Sequence, residues 1–178
     1  NKQPIEGVYS IDPAVLQDDD GEYYIYFGGI GGGQLQQWSV ENEFIGGNAF
    51  PKNIQPQIPP RVARLSNDMQ HLAEEARPLL VLNEQGKPIR NVDQGKRFFE
   101  ASWVHKYNGN YYFSYSTGST HRIVYATSTS PYGPFQYRGI LLKPVLGWST
   151  HHSVLEYDGQ WYLFYHDCQL SNGINYLR

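Results

Sequence analysis

The chain has 178 residues and a formal net charge of −3, enough length for one domain with a sizeable core and no basic field to mark a nucleic-acid partner. It has no run of about 18 apolar residues, which excludes a membrane-spanning helix, and its single cysteine, Cys168, excludes an internal disulfide. Fifteen Tyr, eight Phe and four Trp beside 18 Gly and 11 Pro point to short strands and tight turns, and suit surfaces on which sugar rings stack.

The opening residues, NKQPIEGVYS, show neither the basic n-region nor the apolar h-region of a signal peptide. From Asp12 runs "DPAVLQDDDGEYYIYFGG": a short apolar strand, a turn at Asp20-Gly21, and an aromatic strand. A second copy, "EASWVHKYNGNYYFSYSTG", begins at Glu100 and turns at Asn108-Gly109. The third, "HHSVLEYDGQWYLFYHD", begins at His151 and turns at Asp158-Gly159. Such pairs predict two-residue hairpins with positive φ. The strands "EYYIYF", "NYYFSY" and "QWYLFY" lack polar alternation and predict burial on both faces.

Further strands are expected at "LQQWSV", "RVARLS", "RIVYATS" and "FQYRGILL", and "SPYGPFQ" reads as a connection. Residues 41–60 have no periodicity and read as a long inserted loop. "NDMQHLAEEARPLL" has room for one helical turn before Pro78. Small sheets recurring at roughly 50 to 90 residues predict an all-β fold of the β-propeller kind. The expected blades are 8–82, 97–143 and 148–178. Three blades do not close a ring, so the expectation is a central part of a larger propeller, closed by further blades or by another chain.

Asp12 and Glu100 each stand nine residues before the glycine of their hairpin turn. Equivalent blades therefore put both carboxylates at the start of an innermost strand, facing one central channel. Each has a plain alternative. Asp12 precedes Pro13, and Asp-Pro also simply opens a turn; Glu100, between Phe99 and Ala101, could be solvated at a strand end. Two like charges at matching register favour a purpose, since burying them together is costly. Glycoside hydrolysis needs such a pair: a carboxylic acid that protonates the leaving oxygen and a carboxylate close by. At the matching place in the third copy stand Thr150, His151 and His152.

"IDPAVLQDDDGEYYIYFGG", "FFEASWVHKYNGNYYFSYSTG" and "GWSTHHSVLEYDGQWYLFYHD" together resemble glycoside hydrolase family 43, five-bladed propellers that include β-xylosidases and α-L-arabinofuranosidases. The resemblance implies an inverting hydrolase for xylosyl or arabinofuranosyl linkages of plant polysaccharides, with xylo- or arabino-oligosaccharides as partners and neither nucleic acid nor membrane. It implies Glu100 as general acid and Asp12 as the residue that tunes its proton affinity and orients the sugar. The family's general base belongs to a motif upstream of Asn1. His151, with His152 as second choice, corresponds to a channel histidine that holds calcium or ordered water; a backbone-bonded packing histidine is the alternative. Phe98, Trp103 and Trp148 are candidate walls of the sugar pocket, and Arg178 a candidate ligand of the acid or the sugar. His71, His105, His121 and His166 read as structural, and Cys168 as a buried spectator. A non-catalytic carbohydrate-binding propeller stays open as the alternative, with the acids serving only as hydrogen-bond partners of sugar hydroxyls.

Overall fold

The computed structural model describes residues 4–47, 50–118, 120–147 and 151–171. Eleven strands form three antiparallel-based sheets within these residues. The first contains β1 (Ala14–Gln17), β2 (Tyr23–Phe27), β3 (Arg61–Leu65) and β4 (Arg77–Pro78), in that order. The second contains β5 (Val81–Leu82), β6 (Phe98–Tyr107), β7 (Asn110–Thr117), β8 (Ile123–Ser128) and β9 (Phe135–Leu142), ordered β5-β9-β8-β7-β6. The third pairs β10 (His152–Tyr157) with β11 (Gln160–Tyr165). The strands β1, β6 and β10 are the first long strand of each sheet, each lies at a sheet edge, and β6 packs against both others.

Residues 81–82, expected within the first blade, pair in parallel with Phe135 and Gln136 of β9 and so belong to the second sheet. "LQQWSV" is not a strand. Gly31–Gly33 and Leu35–Gln37 form two 3₁₀ turns, joined by Gln34 at φ 60°, and Trp38 makes only an isolated bridge to Phe44. The glycine run disfavours extended pairing and admits tight turning. "NDMQHLAEEARPLL" carries no helix; Leu65 bridges Leu72, and Pro78 sits on the edge strand β4, where its missing N–H costs no ladder bond.

Two of the three turns have the expected form. Asn108-Gly109 and Asp158-Gly159 have positive φ at both residues, and they join Tyr107 to Asn110 and Tyr157 to Gln160. The first hairpin is longer. Gly21 alone has positive φ there, its N–H donates to Asp18 O at 3.0 Å, and the Asp18 N–H donates to Glu22 O at 2.9 Å. The equal nine-residue offsets thus arise differently: β6 takes up its extra residues in irregularities between Phe98 and Trp103.

The core lies between the first two sheets. Tyr24, Tyr26 and Val62 pack from one side against Phe98, Val104, Tyr111, Phe113, Tyr115, Val124 and Phe135 from the other. The opposite face of β2, Ile25 and Phe27, builds a second cluster with Ala63, Leu65 and Ala76, so β2 is buried on both faces. The partner strand β11 is not. One face of the third sheet rests on the second, through His152 against Ser114 and Trp161 against His105. The other face, with Leu155, Tyr157, Tyr162 and Phe164, is exposed, and no layer of the described residues lies over it.

Candidate active site

Asp12 lies just before β1, Glu100 is the third residue of β6, and His151 just precedes β10. Because these strands pack side by side, the three side chains meet. One ligand atom from each lies within 4.8 Å of the other two. His151 Nε2 is 3.6 Å from Asp12 Oδ2 and 4.0 Å from Glu100 Oε1. The side chains of Asp12 and Glu100 are 16% and 13% exposed and that of His151 43%, which makes a hollow open at the histidine.

Local backbone aims the two acids. Asp12 has φ 57°, a left-handed conformation that aspartate tolerates better than most residues. Ala101 has φ 62° and marks the irregularity in β6, where the ladder shifts register on both sides of Glu100. Bulges re-aim a side chain in this way. The same distortion turns the Ala101 N–H onto Asp12 Oδ2 at 3.0 Å, so the backbone that carries one acid holds the other.

The remaining site candidates are placed as follows. Phe98 is not a pocket wall: it is fully enclosed in the main core, with its ring against Phe113 and Tyr115. The half-buried residue beside Glu100 is Phe99, whose ring meets His121 edge-on at 5.9 Å. Trp103 is half-buried, and its indole Nε1 is enclosed with no hydrogen-bond partner among the described residues. His152 points away from the acids: its Nε2 lies 2.6 Å from Ser114 Oγ. Burial, with His151 and His105 nearby, lowers its pKa to about 4. His166, read as structural, stacks on His151 at 5.9 Å. His105 stacks on Tyr112 and is held neutral by burial, which lowers its pKa to about 4. Trp148, Thr150 and Arg178 lie outside the described residues.

Other acids are engaged elsewhere. Burial pushes the Asp18 carboxyl up, but hydrogen bonds from Lys106, Tyr111 and the Asp19 N–H together outweigh it and hold it below the usual range. Asp93 is tied to Arg90. Asp12, Glu100 and His151 are placed closely enough to hold a metal ion together. Calcium takes six to eight oxygens, water included, so ligands beyond these three would complete its shell.

Sheets whose edge strands gather paired carboxylates in one hollow define a class, the propeller proteins with an acidic axial site. The sequence matches the family model described as Glycosyl hydrolases family 43 over residues 2–178, and the chain belongs to that family. It is 57% identical over 175 residues to a "Xylosidase/arabinosidase" from Bacteroides ovatus, covering 98% of this chain and 54% of the relative. It is 55% identical to a "Beta-xylosidase" from Xylanibacter ruminicola, with the same coverage. A GH43_1 enzyme from Xanthomonas citri, solved with xylotriose, superposes with a TM-score of 0.94 at 57% identity, over 97% of this chain and 52% of that one. CoXyl43, a β-xylosidase/α-arabinofuranosidase from a compost metagenome, solved with xylotriose in a calcium-free form, gives 0.95 at 55% identity, over 100% and 55%. The chain thus has the propeller fold of these enzymes and spans about half the length of the relatives it matches.

Proposed function

We propose that the protein carrying this chain is an inverting glycosidase acting on xylosyl or arabinofuranosyl linkages. The observation that carries this reading is the meeting of Asp12 and Glu100 within 4.8 Å, in a family whose similar members are named xylosidase/arabinosidase. The two acids stand closer than the about 6.5–9.5 Å that leaves room for an attacking water between inverting acid and base. Such spacing does not suit Asp12 as the base of an inverting pair, and the role that the family resemblance implies for it is that of the acid's neighbour. Glu100 donates the proton to the departing oxygen. Asp12, fixed by the Ala101 N–H, sets the charge beside it and orients the sugar. The general base is a further carboxylate outside this assignment. His151 forms the open side of the hollow, where substrate or ordered water is met.

The test is leaving-group dependence in the whole enzyme. Glu100→Gln lowers turnover of xylo-oligosaccharides by about 10²–10⁴-fold, and that of xylosides or arabinofuranosides with nitrophenolate leaving groups far less. Equal loss on both removes the proton-donor role. Binding of xylo-oligosaccharides by wild-type enzyme without any turnover would leave the non-catalytic reading standing instead.

A further inference from the structure

Asp12 and Glu100 come from different sheets, so their separation depends on what ties the two together. One tie is the Ala101 N–H on Asp12; a second is the segment after β2. The Gly28 N–H donates to Ile11 O at 2.9 Å, and the Ile30 N–H donates to Phe99 O at 2.8 Å. A two-residue step of backbone is thereby fastened at one end to the residue before Asp12 and at the other to the residue before Glu100. Ser10 closes this clasp. Its hydroxyl accepts from the Gly29 N–H at 3.0 Å and donates to Gly33 O at 2.8 Å.

The fit is tight enough to select the residues. A Cβ on Gly29 would stand 2.6 Å from Ile11 Cγ1 and 3.6 Å from Glu100 Cβ, and one on Gly33 would stand 2.7 Å from Ile11 Cγ1 and 3.2 Å from Ser10 Oγ. Ile11, itself 38% exposed, thus lies against two glycines, with a hydroxyl on one side of it and Asp12 on the other. Asp12 also holds a left-handed backbone, φ 57°, of the kind that neighbouring contacts must keep in place.

We propose that Ser10 is a positioning residue for the reaction, holding Asp12 at its working distance from Glu100 through Gly29 and Gly33. This deepens the proposed function and rests on it. Ser10 touches neither acid. It acts by denying the Ile11–Asp12 backbone the freedom to swing away from β6, and a displacement of about 1 Å at such a site costs up to about a hundredfold in rate.

The experiment uses the whole enzyme with Ser10→Ala, the near-isosteric Ser10→Cys, and Gly32→Ala as control, since a Cβ at Gly32 meets nothing within 4 Å. With xylobiose and arabinofuranosyl-xylobiose as substrates, Ser10→Ala lowers kcat about tenfold while KM stays within about twofold. Ser10→Cys lies between it and wild type, and Gly32→Ala matches wild type. Amide exchange at Ala101, whose N–H holds Asp12, speeds up in Ser10→Ala while exchange across β8 does not. An unchanged kcat in both Ser10 variants overturns the proposal, and so does a fall that only tracks loss of folded protein. If wild-type enzyme cleaves neither substrate, the glycosidase reading fails, and the Ala101 exchange still decides the positioning: unaltered exchange overturns it.

Discussion

Phe98 and Phe99 are adjacent and chemically identical, yet one fills the core and the other lies beside the acid. Strand parity alone does not decide between them, because β6 is irregular here and Ala101 takes φ 62°. Nothing in "FFEAS" announces the bulge, since alanine is not a residue that favours positive φ. Arg61 is a second case. In "RVARLS" it reads as one polar position of a strand, but it is fully buried. Its guanidinium donates to Tyr9 Oη at 2.8 Å, Ser39 O at 2.8 Å and Pro59 O at 2.5 Å, pinning both ends of the long loop to β3. Burial lowers its pKa, and these acceptors replace water. Arg61→Leu takes its donor from Pro59 O, while Ser39 O keeps the Asn42 N–H and the Tyr9 hydroxyl keeps Asn42 Oδ1, and it is expected to cost about 1–3 kcal/mol, read as a lower urea midpoint with an unchanged m-value.

At the scale of elements, turn chemistry was the most legible signal. Asn108-Gly109 and Asp158-Gly159 make the tight turns that such pairs favour. Asp20-Gly21 does not, because Asp18 accepts from the Gly21 N–H, while its side chain bonds to Lys106 and Tyr111 of the next sheet. Tertiary bonds hold that loop in its longer form. Packing between β6, β7 and β10 also encloses His105 and His152, each with a pKa lowered to about 4 from 6.5. The sign follows from linkage. Between pH 6.5 and 4 the unfolded chain takes up protons at these rings and the folded chain does not. Stability is therefore full above about 6.5 and falls with pH, by at most about 1.4 kcal/mol per pH unit for each ring. Urea unfolding from pH 7 to 4.5 measures this fall, and His105→Gln removes part of the slope. A slope unchanged by that substitution contradicts the enclosure of His105.

Among the described residues, two sheets share a core and the third has a face that no other element covers. Leu155, Tyr162 and Phe164 lie on that face, and Tyr157 is 70% exposed. The strand "QWYLFY" has the composition of a doubly buried strand, but it is buried on neither face: Trp161 and Tyr165, on the side of the second sheet, are 40% and 48% exposed. Large bare apolar patches drive association. The isolated 178-residue chain is expected to bind a hydrophobic dye and to self-associate as concentration rises. Leu155→Lys with Phe164→Lys suppresses both, as read by light scattering; undiminished association would place the sticky surface elsewhere.

The local code was sufficient for the all-β class and the two tight hairpins, because these depend on side-chain period and turn residues within a few positions. The 3₁₀ turns after β2, the buried Arg61 and the bulge at Ala101 were decided only by tertiary structure. So were the choice of His151 over His152 beside the acids and the clasp of Ser10 on Gly29 and Gly33. Each of these depends on which backbone or side chain arrives from another sheet to supply or accept a hydrogen bond, and a strained or shifted conformation survives only where that distant partner compensates it.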